Sequence, residues 1–224
     1  MEQEAPATIT PNTTAENMIK HFVRGYDSSR DIQIIIDASG SIGESAFRSS
    51  LKTLYDLLSY LCPSPEPYKK SGSKYNQLGM MTFSTGVRDQ FHFGEKQLLS
   101  EIKPTVLNTP YEAKTTCTGD AIKHAVQNMK RARKGVKKQV LLLTDGLYNC
   151  IKNGKKHDFD AYAAYTEKWA EELKEHAEIF GMMIGIEGQL GQEKLSKIVS
   201  SPLRDHLYSA RDYHDFTTMV EKVK

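Results

Sequence analysis

The chain alternates two hydrophobic periods. "IQIIID", residues 32–37, is apolar and β-branched on both alternating sides, as in a central parallel strand covered on both faces. "SAFRSSLKTLYDLLSYL" then places Phe47, Leu51, Leu54, Leu58 and Leu61 at three- and four-residue spacing, one face of a helix. "CPSPEPYKKSGSK" reads as a turn-rich connection. "NQLGMMTFS" predicts a second strand and "RDQFHF" a short third one, near enough to pair antiparallel. "GEKQLLSEI" and "GDAIKHAVQNMKRARK" are amphipathic, with irregular "KPTVLNTPYEAKTTCT" between them. "QVLLLTDG" is an apolar strand ending in a polar turn. "DAYAAYTEKWAEELKEHA" is a long helix followed by the strand "EIFGMMIGIEG". "QEKLSKIVS" and "YHDFTTMVEKVK" close the chain as helices around a short strand, "DHLYSA".

Strand and helix in alternation predict an α/β protein with a mostly parallel sheet and helices on both faces. Residues 1–28 read as a flexible lead-in, with a short helix through "AENMIKHFV", and residues 29–224 as one domain.

Such sheets bind ligands beyond the carboxyl ends of their strands, where strand order reverses. Three segments are expected to meet there. "DASGSIGES" delivers Asp37, Ser39 and Ser41. The "QVLLL" strand delivers Thr144 and Asp145, and the loop before "GDAIKHAV" delivers Thr115, Thr116 and Thr118. Nucleotide patterns are absent: there is no GxGxxG and no GxxxxGK[ST]. "ASGSI" is not the GxSxG of a nucleophile elbow. Two carboxylates with several hydroxyls are hard oxygen donors, the set that Mg²⁺, Mn²⁺ or Ca²⁺ takes. Neutral hydroxyls coordinate without cancelling the ion's charge, so the ion stays attractive to a further carboxylate. Each piece also has a purely structural reading. Ser41 and Glu44 form S-x-x-E, a capping box, and Asp145-Gly146 is an ordinary turn pair.

The totals narrow the class. With 30 Lys and Arg against 28 Asp and Glu, the net charge of +2 gives no bulk attraction to nucleic acid or membrane. No apolar run approaches the roughly 18 to 20 residues of a membrane span. Three cysteines, Cys62, Cys117 and Cys150, are too few for a disulfide scaffold and match no zinc spacing.

At these motifs the chain resembles the von Willebrand factor type A domain. The DxSxS signature is present as Asp37, Ser39 and Ser41, "TCTGDAI" resembles the family's threonine loop and points to Thr116, and Thr144-Asp145-Gly146 matches the family's T-D-G. The resemblance covers about residues 31–223. It implies a Rossmann-like, doubly wound sheet with one antiparallel edge strand. It also implies a metal-ion-dependent adhesion site, with Ser39, Ser41 and Thr116 as hydroxyl ligands and Asp37 and Asp145 acting directly or through water. An acidic residue of a protein ligand would complete the coordination. The partners so implied are extracellular: matrix such as collagen, or a cell-surface or host receptor. Where many members carry paired glycines before the loop threonine, this chain has "EAKTT".

On the same resemblance, Cys117 and Cys150 both fall on the metal face, which suggests a disulfide between them and leaves Cys62 unpaired; the alternative is three buried thiols. Tyr111 and Tyr148 flank the face as candidate ligand contacts, and "KNGKKHDFDAY" is a candidate specificity loop. "KRARKGVKK", residues 130–138, is a candidate site for heparin-like polyanions or, alternatively, a solvated helix end. The expected class is a noncatalytic binding module. Two alternatives stand beside it: an intracellular assembly module of the same fold, and a metal-dependent hydrolase, for which no general base is evident.

Overall fold

The computed structural model describes residues 17–23, 29–61, 75–152, 155–156, 158–185 and 188–222. Six strands form one sheet: β1 (Arg30–Asp37), β2 (Gln77–Phe83), β3 (Val87–Phe91), β4 (Lys137–Thr144), β7 (Glu178–Ile184) and β8 (Leu207–Ala210). Their order is β3-β2-β1-β4-β7-β8, and β5 (Ile151–Lys152) pairs with β6 (Lys155–Lys156) in a separate hairpin. All neighbours in the sheet are parallel except β2 with β3. The fold is therefore the expected α/β, Rossmann-like one with a single antiparallel edge strand.

Every residue of β1 is buried, because helices cover both faces. Ile32, Ile34 and Ile36 face a core shared with α1 (Glu44–Leu61), α2 (Leu99–Leu107) and α7 (Tyr213–Glu221). Ile35 faces a second core with α3 (Thr118–Arg131), α4 (Phe159–Lys174) and α5 (Gly188–Ile198). A single turn, α6 (Leu203–His206), precedes β8. From β1 the chain moves to β2 on one side and later returns to β4 on the other. The crevice between the ends of β1 and β4 is thus the switch point where such folds place ligands. In register, Ile36 pairs with Leu143, so Asp37 and Thr144 leave the sheet side by side.

Three local differences from the sequence reading have physical causes. α2 runs through Pro104 into the stretch expected to be irregular. Its carboxylate staple supports the start, since Glu101 Oε2 accepts from the backbone N–H groups of Gln97 and Leu98, and Ile102 and Val106 anchor one face in the core. The lead-in is partly packed: residues Met18–Val23 form a π-helical turn. Met18 and Phe22 are fully buried, with the Phe22 ring 5.1 Å from that of Phe180. Arg30, itself buried, donates to the carbonyls of Phe22 and Val23, satisfying backbone groups that the turn leaves open. The segment expected as a candidate specificity loop begins in the β5–β6 hairpin. The turn-rich stretch after α1, with Cys62, lies outside the described residues.

Candidate metal centre

Asp37 ends β1 almost completely buried, at 2% exposure. Its two carboxylate oxygens are held from two directions. Oδ1 accepts from the backbone N–H of Ser39 at 2.9 Å, and Oδ2 accepts from the Thr144 hydroxyl at 2.8 Å. Thr144 Oγ1 in turn accepts from the Gly146 N–H at 3.1 Å, and Asp145 Oδ1 accepts from the Leu147 N–H at 2.9 Å. These bonds fold the T-D-G stretch into a turn that faces the end of β1. Gly146 is required there twice over. Its φ is +79°, and a Cβ would lie 2.6 Å from the carbonyl oxygen of Gly191 in α5.

The Ser39 and Ser41 hydroxyls are 3.1 Å apart, Ser39 buried and Ser41 exposed. α1 begins only at Glu44, so Ser41 stands three residues ahead of the helix, and Glu44 forms an ion pair with Arg48 instead. The capping-box alternative for Ser41 is not realised.

The threonine loop reaches the same place through backbone bonds. The Ala38 carbonyl accepts from the N–H groups of Glu112 and Ala113, and Gly40 N–H donates to the Lys114 carbonyl. Thr116 is buried, its N–H donating to Asn149 Oδ1 at 2.9 Å while the Asn149 N–H donates to the Thr116 carbonyl at 3.2 Å. Beside this reciprocal pair, Cys117 and Cys150 form a disulfide with Cα atoms 4.5 Å apart. The threonine loop and the segment after Asp145 are stapled together by both. Because both sulfurs are bonded, the grouping of these cysteines with Asp120 offers no thiolate to a metal.

Electrostatics make the same corner distinctive. Burial, and then the negative charge of Asp145, push the Asp37 carboxyl up to about 7, against the lowering effect of its hydrogen bonds from Ser39 and Thr144. Burial likewise raises the Tyr213 phenol, with Asp37 and Asp145 adding to it. Asp145 is buried as well, so two like charges face each other at this corner. The side chains expected as ligands, Asp37, Asp145, Ser39, Ser41 and Thr116, all offer oxygen. Two carboxylates and three hydroxyls are hard oxygen donors, the chemistry that fits a hard divalent ion.

The flanking residues have other duties as well. The Tyr111 hydroxyl donates to the Gly40 carbonyl at 3.3 Å, and its ring packs 5.4 Å from Phe47. Tyr148 is buried and stacks on Phe159 at 5.8 Å. In the basic run 130–138, Lys130 pairs with Glu172, Arg133 with the buried Asp31, and Lys137 with Glu178. Half of its six basic side chains are therefore engaged within the chain, which weakens the case for a polyanion site. Asn149 joins the site without any motif of its own in the sequence. Its only signal is its place beside Cys150.

A profile of the "von Willebrand factor type A domain" matches residues 31–222. The chain belongs to that family. As a von Willebrand factor type A domain it is similar to human matrilin-1, 26% identical over 204 residues that make up 89% of this chain and 36% of matrilin-1. Bovine vitrin is 25% identical, covering 88% of this chain and 26% of vitrin. The domain thus spans about a third or less of the relatives it matches. Among solved structures it resembles mussel byssus proximal thread matrix protein 1 "with zinc occupied MIDAS motif". There the TM-score is 0.70 at 19% identity, over 88% of this chain and 47% of that one. The vWF domain of the pilus tip protein Mfa5 of Porphyromonas gingivalis gives a TM-score of 0.66 at 12% identity, over 88% of this chain and 95% of that one. No helix among the described residues is long and apolar enough to cross a membrane.

Proposed function

We propose that this domain is a divalent-cation-dependent protein-binding module of the extracellular matrix or cell surface, and not an enzyme. Asp37, Ser39, Ser41, Thr116 and Asp145 would hold Mg²⁺, or Mn²⁺ or Ca²⁺. When bound, the ion offers a coordination position to a glutamate or aspartate oxygen of the partner. The observation that carries the reading is the meeting of two buried carboxylates, Asp37 and Asp145, beside the Ser39 and Thr144 hydroxyls at the switch point of the sheet.

The chain's own residues do the preparatory work. Thr144 and the Ser39 N–H fix the orientation of Asp37. The Asn149 bonds and the disulfide hold the Thr116 loop against the Asp145 segment, so the donors are positioned before any ion arrives and little ordering remains to be done on binding. The similarity to matrilins and vitrin supports a partner in the matrix, with collagen among the candidates. A cell-surface or host receptor is the other source of an exposed acidic side chain.

The test is adhesion to immobilised matrix extract in Mg²⁺ against EDTA, alongside calorimetry of Mg²⁺ and Mn²⁺ uptake. The reading expects ion uptake by the wild type, none by Asp145→Ala, and adhesion only where uptake occurs. Equal adhesion in EDTA, or by the variant, would contradict it.

A further inference from the structure

On the Asp145 side of the candidate site lies a cation, Lys194, within electrostatic reach of Asp145 and Glu193. Lys194 Nζ sits 4.3 Å from the centre of the Tyr148 ring and 4.4 Å from that of Phe159. The two rings stack at 5.8 Å and 18°, so the ammonium is held against an aromatic platform. Among the described residues, no acidic group lies within ion-pair distance of it. The neighbouring lysine one turn on, Lys197, by contrast pairs with Glu167 at 3.0 Å.

The position of this cation is fixed by the close approach that ties α5 to the metal face. A Cβ on Gly191 would fall 2.6 Å from the Asp145 carbonyl oxygen, so α5 meets the T-D-G turn backbone to backbone. Lys194 follows Gly191 by three residues, placing it on the same side of α5 about one turn from that contact. Leu190 is 54% exposed, and Phe159, 48% exposed, forms part of the platform. They are two of the three large apolar side chains exposed among the described residues.

Resting on the proposed adhesion reading, we infer that Lys194 is a second, anion-recognising contact of the same binding face. The partner segment would then carry two acidic side chains, one directed to the Asp37–Asp145 site and one to Lys194. The charge is complementary to an acidic peptide, and the platform lowers the cost of ordering a long lysine by holding its ammonium over two rings. Arginine can keep both the charge and the stacking, whereas glutamine keeps neither.

The probe is a set of immobilised peptides with one glutamate in a glycine frame, or two glutamates separated by one, two or three glycines, measured in Mg²⁺ and in EDTA. Beyond the roughly twofold statistical advantage of offering two glutamates to one site, wild type should prefer the best-spaced two-glutamate peptide by about two- to fivefold, as for a partly exposed ion pair. Lys194→Gln should abolish that preference while leaving Mg²⁺-dependent binding of the one-glutamate peptide intact, and Lys194→Arg should retain it. Thermal melting of both variants would show that each is folded. A preference that survives Lys194→Gln, or no preference at any spacing despite Mg²⁺-dependent one-glutamate binding, would overturn the Lys194 contact alone. One-glutamate binding indifferent to EDTA would overturn the adhesion reading and the second contact with it. Heparin oligosaccharide binding that is Lys194-dependent and persists in EDTA would reassign the cation to a polyanion and also overturn the inference.

Discussion

The Thr144 hydroxyl donates to Asp37 Oδ2 at 2.8 Å, across the seam between two parallel strands whose chain positions differ by 107 residues. One bond joins the family's first and third motifs, and the Thr144 oxygen itself accepts from the Gly146 N–H. Thr144→Val keeps the shape but removes both interactions, leaving a buried carboxylate oxygen and a buried N–H short of a partner. The expected cost is about 1–3 kcal/mol in the metal-free protein, read from urea denaturation midpoints at unchanged slope. A loss below about 0.5 kcal/mol, the scatter of neutral surface substitutions, would mean the bond has no structural role.

Removing one member of the carboxylate pair should have effects of opposite sign with and without the ion. Asp145→Asn takes away the like charge that helps push Asp37 up, so the metal-free variant should equal or exceed wild type in stability. Wild type should gain from Mg²⁺, by about 2.7 kcal/mol at a hundredfold excess over its dissociation constant, and the variant should gain little. Melting each protein in EDTA and in excess Mg²⁺ gives all four values. A parallel Mg²⁺ shift in both would remove Asp145 from the ligand set.

Much of this centre was legible from residue order because its parts sit at strand ends, which hydrophobic patterning locates well. Asp37 follows four apolar or β-branched positions, and Asp145 follows "VLLLT", so the sheet brings them together whatever the loops do. The rest depended on contacts with no local signature. Nothing near Gly191 announces that a Cβ there would strike the Asp145 carbonyl, and nothing near Lys194 announces two rings beneath it. The burial of Phe22 was hidden for a similar reason: its partner Phe180 lies more than a hundred positions away. Ser41 shows the converse problem, where a helix-start pattern fits the sequence but the helix starts later.

The disulfide closes a loop of 33 residues. On a loop-entropy account its removal should cost about 3–4 kcal/mol. The Cys117→Ser, Cys150→Ser double variant should lose that much by denaturant unfolding. It should also bind Mg²⁺ more weakly, because only hydrogen bonds would then hold the threonine loop to the segment after Asp145: those of Thr116 with Asn149 and the 3.5 Å bonds of Thr115 Oγ1 with Ile151. Unchanged ion affinity with reduced stability would confine the bridge to a role in folding.

His206 supplies a pH dependence far from the metal face. The residue is buried, with Nε2 2.9 Å from Glu178 Oε1 and Nδ1 2.9 Å from the Pro202 carbonyl oxygen. With an acceptor at each ring nitrogen, only the imidazolium can make both bonds. Burial alone would lower its pKa, but the bonds to Glu178 and Pro202 prevail and raise it above 6.5. Burial would raise Glu178, yet bonds from His206, Lys137 and Gln139 prevail and lower it to about 2. The charges facing this pair are Lys137, which binds Glu178, and Asp205, which His21 approaches at 3.4 Å from the packed N-terminal turn. The signs follow from linkage. The His206 contribution is complete below about pH 6.5 and is lost as pH rises through its raised folded value. The Glu178 contribution is complete above about pH 4.5 and is lost as pH falls toward 2. Stability from this pair should therefore peak between those limits and decline on the alkaline side. His206→Gln should flatten the alkaline decline, as followed by denaturation midpoints from pH 5 to 9. NMR titration of the His206 ring should show a pKa above that of a free histidine, and a value below 6.5 would mean that one of the two bonds is not made by an N–H.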